Sequence, residues 1–175
     1  QQEFNGGELA AIIGEAHAMG RLVSAHLEFP QGIAACVNAG IDTVEHGWVL
    51  TEEVIDLMLK KGVVMVPTVS AIWNLVHHGI EMGLPTVYVE TGKSTIYEKA
   101  VKSFKMAYEA GVKLAMGTDC GYYPCPHGTN AKELELMMEF CGMSAMEAIV
   151  TATKHGAETL RMGDRLGTLA PGKLA

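Results

Sequence analysis

Four residues with polar side chains stand where short apolar segments of the chain end. His26 follows LVSA, His46 follows DTVE, Thr68 follows VVMVP and Asp119 follows KLAMGT. Imidazole and carboxylate groups are common ligands of zinc and other divalent transition metals, and three protein ligands with an open position are typical of a catalytic metal site. If the ends of these segments meet, His26, His46 and Asp119 are predicted metal ligands.

Each of these residues also has a structural interpretation. A single histidine at the end of a strand is more often a hydrogen-bonded core residue than a ligand, and Asp119 alone could cap the loop that follows it. The same position recurs in three of the four segments, however, and this recurrence favours the metal site.

The pattern around these residues predicts alternating helices and strands. Residues 8–19 have apolar side chains at helical spacing, Thr51 caps a helix that ends at Lys61, and Gly111 closes a helix over 94–110. Short continuous apolar runs between helices are typical of buried parallel strands. The predicted strands cover 21–27, 41–46, 63–68 and 112–119.

Two further helices are predicted from their start signals. Asn130 with Glu133, and Ser144 with Glu147, each have the form of a capping box, so helices should begin near 131 and 145. The 69–93 stretch has a weak pattern and is predicted to be a loop that includes a short helix.

This alternation predicts an α/β fold with helices on both faces of a parallel sheet. Two architectures fit: an open doubly wound sheet, or a (β/α)8 barrel, of which four strands are half. In both, ligands bind where the carboxyl ends of the strands meet.

Net charge, apolar runs and missing motifs each argue against particular classes of function. The net charge of −7 and scattered basic residues argue against nucleic acid and anionic membrane as partners. No apolar run is long enough to span a bilayer and the first residues do not resemble a signal peptide, so a cytoplasmic location is predicted. No glycine-rich phosphate loop or serine nucleophile elbow occurs.

The cysteines give no metal motif of their own. The four of them form no C-x-x-C pair, and the spacing of Cys120, Cys125 and His127 matches no common zinc site. We interpret the cysteines as small buried or loop residues.

Six segments in order along the chain resemble the C-terminal half of the amidohydrolase superfamily, in its imidazolonepropionase-like branch, which includes Xaa-Pro dipeptidases and related carboxypeptidases. The similarity covers nearly the whole chain. The segments are AHAMGRLVSAH, AGIDTVEHG, GVVMVPT, AGVKLAMGTDCG, HGTNAKELELM and DRLGTLAPGKLA.

The resemblance implies a fold and a set of site residues. The chain would form half of a (β/α)8 TIM-type barrel, strands five to eight, in an enzyme with one or two zinc ions. His26 on the fifth strand and His46 on the sixth would hold one metal. Asp119 on the eighth would bind the other metal and act as general base, taking a proton from the attacking water and passing it to the leaving amine. Tyr122, Tyr123 and His127 would lie over the substrate, although loop packing explains the two aromatics equally well.

The implied reaction is hydrolysis of an amide or peptide-like C–N bond in a small or dipeptide-like substrate. Deaminases of the superfamily place a glutamate three positions after the fifth-strand histidine, whereas position 29 is Phe here and the acid is Glu28. Hydrolysis therefore fits better than deamination.

The family's H-x-H motif and its bridging lysine are not found in this sequence. We therefore expect a fragment that is inactive alone, with 1–165 as the C-terminal half-barrel and 166–175 as the start of a return to a small β domain. Exposed strand edges would drive pairing with another copy or with the missing half. The alternative is a non-catalytic, self-associating half-barrel module.

Overall fold

A parallel β-sheet forms the centre of the fold. The computed structural model describes residues 3–121 and 125–174. Its sheet has the order β1-β2-β3, with β1 pairing parallel to β2 and β2 parallel to β3. The strands are β1 (Ser24–Leu27), β2 (Thr43–His46) and β3 (Val64–Val66).

The predicted strand over 112–119 runs beside β3 in the same direction. The Met65 amide donates to the Lys113 carbonyl at 3.0 Å, and the Ala115 amide donates to the Met65 carbonyl at 2.9 Å. Met65 and Leu114 thereby form a parallel bridge. Three of the predicted strands form within their predicted ranges, whereas the 112–119 segment pairs with β3 through a single bridge. The mixed α/β fold with parallel strands is confirmed.

Helices connect and cover the strands. Two π-helical turns, Lys93–Tyr97 and Thr151–His155, interrupt the later helices. The helices are α1 (Gly6–Ala18), α2 (Pro30–Ala39), α3 (Glu52–Lys61), α4 (Val69–His78), α5 (Thr86–Gly92), α6 (Glu98–Ala110), α7 (Lys132–Cys141), α8 (Ala145–Val150) and α9 (Gly156–Thr159).

Local signals explain where several helices begin and end. The Thr51 hydroxyl accepts a hydrogen bond from the Val54 amide at the start of α3, and Gly62 ends that helix in a left-handed conformation. Ser144 and Glu147 form the predicted capping box of α8. These predictions are confirmed.

The core lies between the inner strands and the helices that cover them. Val44 of β2 and Met65 of β3 are fully buried, as are Ile33 of α2, Met58 of α3 and Phe104 of α6. By contrast, β1 is at the edge of the sheet and none of its residues is fully buried. The apolar core therefore fixes β2 and β3 most firmly.

The prediction for 69–93 was wrong about how much of this stretch is helical. This stretch forms α4 and α5 rather than a loop. Val69, Ile72 and Leu75 are buried on one face of α4, but the group that caps its first turn belongs to Glu133 of α7. The start signal is distant in the sequence, so no local pattern could reveal it.

Among the helices of the described residues, none is both long and apolar enough to cross a membrane.

Candidate active site at the carboxyl ends of the strands

Backbone strain concentrates at the carboxyl ends of successive strands. His46, Thr68 and Asp119 have positive φ angles of 75°, 50° and 54°. Within the described ranges, Arg161 is the only other non-glycine residue with a positive φ. Such conformations cost about 1–3 kcal/mol each and tend to persist at functional sites. The strand ends that the sequence selects are therefore the strained ones.

His46 is held in one tautomer by its neighbour. The side chain is buried, and its Nδ1 lies 2.6 Å from Thr68 Oγ1. The Thr68 hydroxyl donates its only proton to the Pro67 carbonyl at 2.8 Å, so the hydroxyl oxygen accepts from His46 Nδ1–H. In this arrangement of hydrogen bonds, Nδ1 carries the imidazole proton and the lone pair of Nε2 is available to a ligand.

Electrostatics keep this imidazole neutral. Burial and, after it, the neighbouring His26 lower the pKa of His46 from 6.5 to about 4, while Asp119 acts in the opposite direction. A neutral histidine at physiological pH is the form that binds metals.

His26 lies beside His46 at the end of β1. The two ring centroids are 4.5 Å apart and the planes are tilted by 70°. His26 is largely exposed, and its Nε2 is 3.4 Å from Glu28 Oε1. The structure thus brings the two predicted histidine ligands together.

Gly47 follows His46 at the end of β2 in a left-handed conformation. Its φ is +67°, and a β-carbon there would lie 2.8 Å from Met65 Cε on the neighbouring strand. The conformation favours glycine, and a side chain would also have to displace the end of Met65.

Asp119 ends the 112–119 segment. A backbone hydrogen bond closes the loop that follows. The Gly121 amide donates to the Cys125 carbonyl at 2.9 Å. The Sγ atoms of Cys120 and Cys125 are 3.0 Å apart, and burial raises the pKa of Cys125 to about 12. His127 folds back against this loop, since a β-carbon on Gly121 would lie 3.0 Å from His127 Nε2. Tyr122 and Tyr123 lie outside the described residues.

The donor chemistry fits a divalent transition metal in part. Two adjacent imidazoles and one nearby carboxylate suit such an ion. Among the described residues, however, no group of three His, Cys, Asp or Glu side chains is placed to hold one metal ion. The rings of His26 and His46 lie side by side, and Asp119 is close enough to act on the pKa of His46.

Glu133 is a polar residue of this region whose role the sequence pattern does not reveal. The predicted capping box with Asn130 was wrong, because α7 begins without a side-chain cap. The fully buried Glu133 carboxylate accepts hydrogen bonds from the Val69 and Ser70 amides, at 2.7 Å each, and from the Ser70 hydroxyl. Burial raises its pKa to about 7, although these hydrogen bonds oppose the shift.

Comparison with known proteins identifies the family. The family model described as "Amidohydrolase family" matches residues 1–175. The chain belongs to the amidohydrolase family.

Relatives within this amidohydrolase group agree in sequence and in fold. Ochratoxinase from Aspergillus niger is 34% identical over 153 residues, which are 87% of this chain and 31% of that protein. Imidazolonepropionase from Ralstonia nicotianae is 26% identical over 98% of this chain and 38% of its own. A crystal structure of a Xaa-Pro dipeptidase with bound methionine superimposes with a TM-score of 0.89 and 37% identity, over 98% of this chain and 42% of that one.

These amidohydrolase matches confirm the family that the six segments predict. The chain spans about a third of the length of the curated ochratoxinase, at 31%, and 42% of the dipeptidase chain.

Proposed function

We propose that this chain supplies strands five to eight of a (β/α)8 barrel in a metal-dependent hydrolase that cleaves an amide or peptide-like C–N bond. Family membership supports hydrolysis of amide-type bonds. The observation that carries the proposal further is the left-handed backbone of His46, Thr68 and Asp119, which concentrates strain at one edge of the sheet.

In this proposal His26 and His46 hold one metal ion, and His46 binds through Nε2 because Thr68 occupies Nδ1. Zinc is the first metal to consider, and one or two ions fit the family. A bound metal would supply Lewis acidity toward the carbonyl and toward water. Asp119 would stand beside a second ion and serve as general base, accepting a proton from the attacking water and delivering it to the leaving amine.

The loop after Asp119 would contact the substrate. His127 lies against Gly121, two residues beyond Asp119, and we propose that it faces the substrate together with Tyr122 and Tyr123. One neighbour in fold is a Xaa-Pro dipeptidase, so Xaa-Pro dipeptides are the first substrates to test. Other small amides are the second class.

We also propose how the chain is completed. Residues 1–165 would form the half-barrel and 166–175 would lead toward a small β domain. The edge strand β1 is only partly covered in the described structure, and a partner strand would complete the barrel beside it. The partner is either the other half of the same enzyme or a second copy of the chain, and a cytoplasmic location stays a prediction from the sequence.

Metal content and turnover test this function together. The full-length protein, purified without chelator, should contain one or two metal ions per chain. It should also hydrolyse Xaa-Pro dipeptides. His26→Ala and His46→Ala should lose metal. His77→Ala is the matched control. His77 lies on α4, away from the predicted ligands in the sequence, and its Nδ1 is hydrogen-bonded to the Trp73 carbonyl.

Asp119→Asn separates proton transfer from metal binding. The variant should retain most of its metal and lose turnover by about 100-fold or more, as expected for a general base. Unchanged turnover would remove Asp119 from the reaction, and unchanged metal in His26→Ala and His46→Ala would remove the histidine site.

A further inference from the structure

Glu133 caps a helix to which it does not belong. It lies in the first turn of α7, yet its carboxylate accepts from the amides of Val69 and Ser70, the first two residues of α4. The residue is fully buried, and none of the ion pairs in the described part of the chain involves it. Its hydrogen-bond partners in the described structure lie at the start of α4.

Thr68 occupies the position that would ordinarily cap α4. A threonine at the N-cap normally accepts a hydrogen bond from an amide of the first turn through its hydroxyl. Thr68 makes no such bond, and its backbone is left-handed rather than extended as in an ordinary N-cap. Its hydroxyl donates to the Pro67 carbonyl and accepts from His46 Nδ1.

The two observations meet at the start of α4. Glu133 accepts from the Val69 and Ser70 amides at the start of α4, and the Thr68 hydroxyl contacts His46 instead. The same end of α7 also reaches the neighbouring strand end, where Asn130 Nδ2 donates to Thr118 Oγ1 at 3.4 Å, next to Asp119. The start of α7 thus contacts the neighbours of two strained strand ends, Thr68 and Asp119.

We propose that Glu133 is a positioning residue for His46: it replaces Thr68 as the cap of α4, so that the Thr68 hydroxyl holds the His46 proton on Nδ1 and leaves Nε2 facing the site. The consequence for metal binding rests on the function proposed above. The consequence for the tautomer is independent of that function, because it depends only on the hydrogen bonds of Glu133, Thr68 and His46.

Nitrogen NMR of the histidine side chains tests the tautomer directly. In the wild-type protein at neutral pH, stripped of metal, His46 should be protonated on Nδ1 and bare on Nε2. Glu133→Gln replaces one accepting oxygen by an amide donor that faces backbone donors. The Thr68 hydroxyl should then turn to α4, and His46 should shift toward the Nε2-protonated form.

Two substitutions at Thr68 separate the hydroxyl from the fold. Thr68→Val removes the hydroxyl while Glu133 still caps α4, and it should give the same tautomer shift. Thr68→Ser keeps the hydroxyl and should keep the wild-type histidine signals. Glu135→Gln is the matched control, because Glu135 is on the same helix and pairs at the surface with Lys132.

Zinc affinity provides the second readout. Loss of an outer hydrogen bond to a metal-binding histidine typically weakens the metal about 10–100-fold. Glu133→Gln and Thr68→Val should both show this loss, and Glu135→Gln should not.

The outcomes are distinguishable. A Glu133→Gln protein that melts earlier but keeps the wild-type tautomer and zinc affinity would overturn the proposal, since Glu133 would then be a structural cap alone. If that variant does not fold, Glu133→Asp, which keeps the charge but withdraws the carboxylate by one methylene, must show the tautomer shift or the proposal fails. A tautomer shift in a protein that binds no zinc supports the positioning role and contradicts the metal-dependent function.

Discussion

Val66 of β3 occupies the space into which a side chain at Gly117 would project. A β-carbon added to Gly117 would overlap Val66 Cγ1 on the adjacent strand. Valine is stiff at χ1, so it cannot turn away without leaving its rotamer. The close approach of these two residues sets the distance between β3 and the segment that ends at Asp119.

Gly117→Ala should therefore destabilise the protein by about 1–3 kcal/mol, the usual cost of forcing extra volume into a packed core. Urea unfolding measures the loss. Gly14→Ala is the control, because no described atom outside its own helix backbone lies within 4 Å of a β-carbon there. That substitution should stabilise α1 by up to about 1 kcal/mol. Equal unfolding midpoints for the two variants would contradict the steric argument.

Stability in mild acid should depend on Glu158. Its carboxylate accepts from Lys113 at 2.5 Å and pairs with Lys154 at 2.9 Å, and these two lysines lower its pKa from 4.5 to about 2. A lowered carboxyl pKa favours folding above the unfolded value, and this contribution is lost as pH falls toward the folded value. The window is therefore pH 4.5 down to about 2.

Unfolding free energies of wild type and Glu158→Gln, compared across this window, check the prediction. The wild-type advantage should be largest above pH 5 and should shrink steadily with acid. A difference between the two proteins that stays constant with pH would mean that the lysine pairs do not matter for folding.

The cysteines should differ sharply in reactivity. Cys36, Cys125 and Cys141 are buried, and burial raises the pKa of each, to about 12 for Cys125 and Cys141. The thiolate is the reactive form, so these three should resist alkylation at pH 8. Cys120 is partly exposed and should react first.

Iodoacetamide with mass spectrometry should find one modified thiol on the native protein and four after denaturation. Cys120→Ser should leave the native protein almost unlabelled. Rapid labelling of Cys125 in the native protein would show that the loop after Asp119 is open in solution.

The sequence predicts those features whose causes are local. The strand ends at His26, His46 and Asp119 follow from short apolar runs, and the cap at Thr51 follows from neighbours three residues away. The geometry that relates His46 to Thr68 depends on residues 22 positions apart, which no periodicity reveals. Only the folded sheet brings their two strands together.

Glu133 illustrates the limit most clearly. Its spacing from Asn130 matches a capping box. Nothing in the sequence shows that its carboxylate binds the Val69 amide, 64 residues earlier in the chain. A buried acid with a distant partner is indistinguishable, in sequence, from an exposed one with a near partner. The same physical need, to satisfy the free amides of a helix, is met by tertiary contact for α4 and by local contact for α8.

Ser144 and Asn130 allow this difference to be measured. The Ser144 hydroxyl accepts from the Glu147 amide at 3.3 Å, and Glu147 accepts from the Ser144 amide at 2.8 Å. Ser144→Ala should cost about 1 kcal/mol, as loss of an N-cap usually does. Asn130→Ala removes only the 3.4 Å bond to Thr118, because α7 starts without a side-chain cap, and should cost less than half as much. If chemical denaturation gives the two variants equal losses, Asn130 caps α7 in solution after all.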